Sequence, residues 1–333
     1  MTRASTCMMA AAVLAAAVGT SSTSVAAGNS AQYLNPSAND TVQWLPARQA
    51  DQRILYDTSN SNTFGDLRLP KGHAGRSGYP VVLFIHGGGW TSDWSLEYAA
   101  RMVDAFTEAG FATWSIELRR FGNVGGGWPD TFLDAAHGAD YLRTLATQYP
   151  LDLNRVIAVG HSSGGHLVTW LAVRHKLPTT SALYIANPLP LRGVVGLGAI
   201  PDLQGALTLG NRTDVFTLLG VTNAADAAKR YPDGSPVVLL PSGVPQIMID
   251  GTLDNAWRVA INQSYVKTAV ALGENMKFIL LDGANHFDLV DACGPAWRPV
   301  IQAALELAGE SGKGRIRTPG DPACPGARDR DDD

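Results

Sequence analysis

Gly160-His161-Ser162-Ser163-Gly164 decides the reading of this chain, because the pattern of apolar residues changes period across it. Before it runs Arg155-Val156-Ile157-Ala158-Val159, which is short, apolar and β-branched. After it come residues 165–172, apolar at helical spacing. A buried strand therefore turns sharply into a helix, with Ser162 on the turn beside the helix N-terminus. Small residues two positions before and after the serine let the chain bend there, which is the physical reason for Gly160 and Gly164. In a chain with 35 glycines such a pentapeptide also arises by chance, so its surroundings matter.

Working outward, a second buried run, Tyr79-Pro80-Val81-Val82-Leu83-Phe84-Ile85, leads straight into His86-Gly87-Gly88-Gly89-Trp90. Further strand candidates follow at 112–118, 156–159, 193–198, 246–249 and 277–281. Helical patterns at 95–109, 132–148, 165–175 and 262–272 alternate with them, and a last one covers 299–307. This alternation predicts a mostly parallel sheet with helices on both faces. Two stretches break the rhythm. Residues 31–70 contain an edge hairpin around 52–57 and 63–68, and residues 203–235 lie between two strands; both are candidates for a small cap over a cleft at the C-terminal strand ends.

These residues resemble the α/β-hydrolase superfamily and, within it, the esterases that carry an H-G-G-G motif before the nucleophile. The likeness covers roughly residues 52–308. A narrower likeness joins Gly125-Gly126-Gly127-Trp128-Pro129-Asp130-Thr131-Phe132 and Leu151-Asp152-Leu153-Asn154-Arg155-Val156 to the acetyl-esterase, feruloyl-esterase and kynurenine-formamidase-like members. The resemblance implies the α/β-hydrolase fold and a nucleophilic Ser162, followed in chain order by an acid and a histidine. A serine hydroxyl needs a base, and the family's base lies on the loop after the last strand, where this chain has His286. His73, His137 and His175 sit away from strand ends, and His161 and His166 flank the serine itself. For the acid, Asp250-Gly251-Thr252-Leu253-Asp254 offers two carboxylates. The family's Gly-x-x-Asp pattern selects Asp254, leaving Asp250 as a turn cap. The implied oxyanion donors are the backbone N–H groups of Gly87, Gly88 and Ser163, with Gly89 shaping the turn and His86 holding the loop. Trp90 and Trp128 are candidate walls of the substrate pocket. Arg119 and Arg120 read as structural ion-pair partners.

The N-terminal 27 residues read as a secretory signal peptide, with Arg3, an apolar core at 8–18 and small residues at Val25-Ala26-Ala27. That organisation gives a signal at 1–27, one α/β-hydrolase domain at 28–309 and a disordered tail at 310–333, whose Gly, Pro and charges show no periodic apolar residues. With 26 Lys plus Arg against 30 Asp plus Glu, the mild acidity gives no reason to expect nucleic acid or a membrane surface as partner. No later segment is long and apolar enough to be transmembrane. Cys293 and Cys324 are a candidate disulfide for an exported chain, and no C-x-x-C or His/Cys cluster suggests a metal or other cofactor. The expected activity is that of a secreted or periplasmic serine hydrolase. It would cleave a small carboxylic ester, short-chain or acetyl/feruloyl in type, through an acyl-enzyme on Ser162. The alternatives are an arylformamidase, against which export argues because N-formylkynurenine is cytoplasmic, and a non-catalytic binding module.

Overall fold

The apolar runs pair into one eight-stranded sheet in the order β1-β2-β4-β3-β5-β6-β7-β8. In chain order the strands are β1 (Gln52–Leu55), β2 (Phe64–Arg68), β3 (Tyr79–Ile85), β4 (Ala112–Ile116), β5 (Leu151–His161), β6 (Gly193–Leu197), β7 (Gln246–Gly251) and β8 (Met276–Leu281). The computed structural model describes residues 45–310. Strands β3 to β8 are parallel, and the β1–β2 hairpin adds antiparallel to the β4 edge. The expected signal peptide and Cys324 lie outside the described residues, as does the expected tail beyond residue 310.

The central strands show why their sequences run apolar without alternating. Val81, Leu83 and Ile85 of β3 join one core cluster, while Val82 and Phe84 join the cluster on the opposite face. Val156 and Ala158 of β5 divide from Ile157 and Val159 in the same way. Both faces are covered, so every position of the runs 81–85 and 156–159 is buried, at roughly 1.5–3 kcal/mol for each large side chain taken from water. The helices Asp130–Asp140 and Ser163–Val173 cover the first face through Phe132, Ala136, Leu167 and Leu171. The helices Ala100–Glu108 and Trp297–Ala308 cover the second through Met102, Phe106, Trp297 and Ile301.

Residues 203–235 fold as three short helices, Leu203–Gly210, Asp214–Leu219 and Ala224–Gly234. Asp202 and Asn223 cap the first and third by accepting N–H bonds from Gly205 and Asp226. Leu203, Val215, Leu218 and Tyr231 anchor this group on the first core cluster, so it forms the small cap. The hairpin at 52–68 is different. It completes the sheet edge instead of capping anything, held in place by Tyr56, whose hydroxyl donates to the carbonyl of Glu117 at 2.7 Å. Cys293 is disulfide-bonded. Among the described residues no helix is long and apolar enough to cross a membrane.

Candidate active site

The parallel strands deliver the candidate residues to one end of the sheet, just past their C-terminal ends. Ser162 follows β5 with φ 55° and ψ −120°, a left-handed conformation for a non-glycine residue that costs about 1–3 kcal/mol. The turn is clamped. Ser162 N–H donates to Leu197 O at 2.8 Å, and a Cβ on residue 164 would lie 2.1 Å from Ile85 O and 2.3 Å from His86 O. A Cβ on residue 160 would lie 2.4 Å from Gly164 O. Glycine at both positions is therefore required by backbone packing, as the sequence reading anticipated.

Asp254 lies just beyond β7 and His286 beyond β8, and the structure brings them together: His286 Nδ1 is 2.7 Å from Asp254 Oδ2. The other oxygen, Oδ1, accepts from Asn255 N–H at 2.6 Å and from the guanidinium of Arg258. Burial pushes the Asp254 carboxyl up, but the hydrogen bond and charge of His286 and the charge of Arg258 outweigh it and bring it down to about 2. His286 is lowered from the ordinary histidine value, first by burial and then by Arg258, against the opposing pull of Asp254. Gly198 (φ 51°) makes room for this pair, because a Cβ there would sit 2.8 Å from His286 Nδ1 and 3.1 Å from Asp254 Oδ2.

Asp250 does not join them. It is fully buried inside β7, accepts from Asn262 Nδ2 at 3.3 Å through Oδ1, and has no partner for Oδ2 among the described residues. Burial, reinforced by the neighbouring Asp254 carboxylate, raises its pKa well above the ordinary value. A carboxyl raised in the folded state is stabilising below its unfolded pKa, and that contribution is lost as the pH rises toward the folded value. Asp250→Asn, a neutral amide of the same shape, removes this dependence. The melting temperature of the wild type should therefore fall relative to the variant between about pH 4 and pH 8 in parallel thermal scans. A constant difference across that range rules out a neutral Asp250.

The loop after β3 is held from behind. His86 Nδ1 donates to Gly87 O at 2.7 Å, and its Nε2 lies 3.1 Å from Glu117 Oε1 and 3.0 Å from Arg120 Nη1. Arg120 also pairs with Glu117 at 2.7 Å, and Arg119 pairs with Asp134 at 2.6 Å, so both arginines are structural. Burial alone would raise Glu117; His86 and Arg120 outweigh it and keep the carboxylate below its ordinary value. The donor set differs from the sequence expectation at one position. Gly87 N–H is already committed to the hydroxyl of Tyr98 at 2.7 Å, so Gly87 has no donor to spare. The N–H groups of Gly88, Gly89 and Ser163 have no acceptor among the described residues, and Gly88 and Gly89 line the cavity with Ser162. Gly89 thus turns the chain (φ 63°) and also presents a donor.

That cavity has a volume of about 360 Å³ and is shared by Ser162 and His286. Its aromatic wall is Trp94 and Phe287, stacked at 5.8 Å, and its rim carries Arg212 and Asp214 from the cap. Trp90 and Trp128, expected as walls, lie elsewhere. Trp90 is buried beneath the loop, where its Nε1 donates to His166 Nδ1 at 3.3 Å; His166 Nε2 in turn donates to Gly234 O of the cap. Burial lowers His166 to about 4, keeping it a neutral strut. Trp128 packs edge-on against Phe132 and under the guanidinium of Arg230. Trp94, Phe287 and Arg212 carried no signal in the sequence, since each comes from a separate loop.

Comparison with known proteins agrees with this architecture. An isoprenylcysteine alpha-carbonyl methylesterase of Arabidopsis thaliana is 22% identical over 257 residues, covering 73% of this chain and 58% of the relative. Esterase LipC of Mycobacterium tuberculosis is 24% identical over 220 residues, covering 64% and 54%. The chain spans about half the length of the curated relatives it matches. Among solved structures, a truncated carbohydrate esterase from gut microbiota aligns with a TM-score of 0.65 at 20% identity, over 80% of this chain and 98% of that one. The propionate-bound esterase Est2 of Thermogutta terrifontis aligns with a TM-score of 0.63 at 18% identity, over 80% and 96%. The fold is that of the α/β-hydrolases. A family model described as BD-FAE matches residues 66–268, more than half of the sequence, and the chain belongs to that family.

Proposed function

We propose that the chain is a serine hydrolase that cleaves small carboxylic esters, of short-chain, acetyl or feruloyl type, through an acyl-enzyme on Ser162, and that it acts outside the cytoplasm after loss of residues 1–27. The observation that carries this reading is the 2.7 Å bond between His286 Nδ1 and Asp254, in a cavity that also contains Ser162 and two uncommitted N–H groups. With Nδ1 turned to the carboxylate, Nε2 of His286 is the nitrogen left to take a proton. Ser162 Oγ attacks the ester carbonyl carbon as its proton passes to Nε2, and the oxyanion is met by the N–H groups of Gly88, Gly89 and Ser163. The C–O bond then breaks, the alcohol leaves with the proton from Nε2, and water releases the acid by the same route. The depressed His286 keeps the imidazole neutral, and so competent as a base, at neutral pH. A cavity of about 360 Å³ is near the lower limit for ligand sites and suits a small acyl group against Trp94 and Phe287. Several of the curated relatives that match are esterases, which supports the same class.

A fluorophosphonate tests the reading directly. One equivalent should abolish hydrolysis of short p-nitrophenyl esters and appear, by peptide mass spectrometry, on the peptide containing Ser162. Full activity after complete labelling, or label confined to another residue, refutes it. An aryl formamide assayed beside the esters should give the lower kcat/KM.

A further inference from the structure

One chain of hydrogen bonds crosses all three loops of the site. Gly87 N lies 2.7 Å from the hydroxyl of Tyr98, that hydroxyl lies 2.7 Å from His161 Nδ1, and His161 Nε2 lies 3.0 Å from the carbonyl oxygen of His286. The directions are forced. A carbonyl oxygen only accepts, so His161 Nε2 carries the hydrogen. A neutral ring then has its lone pair at Nδ1, which takes the hydrogen of the Tyr98 hydroxyl, and the oxygen of that hydroxyl takes Gly87 N–H. Every group in the line is used once, and Tyr98 and His161 are both buried. The His161 ring also lies 4.4 Å from that of His286, centroid to centroid, inclined at 37°.

We propose that Tyr98 and His161 are positioning residues: the Tyr98 hydroxyl locks His161 as its neutral Nε2–H tautomer, and His161 thereby ties the Gly87 loop to the main chain of His286. One buried connection then fixes the spacing of oxyanion loop, nucleophile turn and base loop together. The kinetic consequence rests on the serine-hydrolase reading above; the tautomer itself does not.

The surroundings of His161 favour the neutral ring. It is faced by Tyr98 from the turn before the helix Ala100–Glu108 and by His286 from the loop after β8, with Asp254 beyond β7 and Arg258 on the helix Ala256–Ala271 acting at longer range. Burial, followed by His286, lowers it well below the ordinary histidine value. A proton on Nδ1 would consume that lone pair and leave the hydrogen of the Tyr98 hydroxyl without its acceptor. It would also place a cation beside the ring that must itself become an imidazolium during the reaction. Tyr98→Phe removes the hydroxyl and leaves Nδ1 open to that proton.

The test has two arms on the full chain. Histidine ¹⁵N–¹H correlation spectra of the wild type at neutral pH should show His161 as the Nε2–H tautomer; an Nδ1–H tautomer or a charged ring there overturns the proposal, whatever the enzyme's activity. In kinetics, Tyr98→Phe should lower kcat on the order of 10- to 100-fold with little change in KM, as loosened alignment does. It should also move the acid limb of kcat/KM to higher pH, because protonation of His161 now competes. Adding His161→Gln to that variant supplies an amide donor that does not titrate, and the limb should return to the wild-type position. An acid limb unmoved by Tyr98→Phe, with only a lowered melting temperature, assigns the tyrosine to stability alone and also overturns the proposal.

Discussion

Ser162→Ala should lower kcat for short p-nitrophenyl esters by roughly 10⁵-fold or more, the scale seen when a nucleophile that works as one unit with its base is removed. The residual rate over water comes from the N–H groups of Gly88, Gly89 and Ser163, which the substitution leaves in place. Alanine keeps the left-handed turn at φ 55°, so the melting temperature should change by no more than a few degrees. Ser163 cannot substitute, since its side chain is buried at the start of the helix Ser163–Val173 and only its backbone serves the site. Stopped assays at high enzyme concentration, with the fluorophosphonate as an active-site titrant, give the measurement. A variant that retains even a tenth of wild-type kcat removes Ser162 as the nucleophile.

Asp254→Asn should cost about 10⁴-fold in kcat, because an amide facing Nδ1 permits the ring to place its hydrogen on Nε2, where a base needs a lone pair. The loss has a second signature. Asp254 is the group that raises His286 against burial and Arg258, so without it the acid limb of kcat/KM moves to still lower pH. The substitution also leaves the buried Arg258 cation without its counter-ion, and stability falls by about 3–5 kcal/mol. Rates are therefore normalised to the folded fraction from calorimetry. Asp250→Asn, in contrast, should keep kcat within about twofold, as expected of a substitution that leaves no reacting group altered. If Asp250→Asn shows the larger loss, the acid has been assigned to the wrong carboxylate.

The central strands were legible because their apolar runs, such as 81–85, 156–159 and 193–197, are buried on both faces. Boundaries were less so where polar residues extend an element. Strand β5 begins at Leu151, five residues before the apolar run, since Tyr79 pairs with Leu151 across the sheet and Arg155 is occupied by Asp152 and Gly78 O. The helix Ala256–Ala271 begins before the expected 262 because Arg258 is buried as an ion-pair partner and breaks the apolar period. Ser162, Asp254 and His286 could be picked out because each follows a strand in a fixed order. Gly87 was misassigned because its partner, Tyr98, lies eleven residues on and reaches it only through the fold. The cavity wall was illegible for a similar reason: Trp94, Arg212 and Phe287 meet there from three separate segments, and no local spacing records that.

The clearances around the turn at Ser162 divide the molecule's capacity to diversify. At residues 87, 164 and 198 a single added carbon would come within 3 Å of the backbone or side-chain atoms that frame the reacting groups, so these positions admit almost no variation. Trp94, Arg212, Asp214 and Phe287 meet no such limit where they face the cavity, and all four belong to loops or the cap rather than to the sheet. Under the proposed function, a lineage built on this scaffold is thus free to change which ester it admits while the way it breaks one stays fixed, because inheritance of the chemistry is written in absent side chains and inheritance of the diet in present ones.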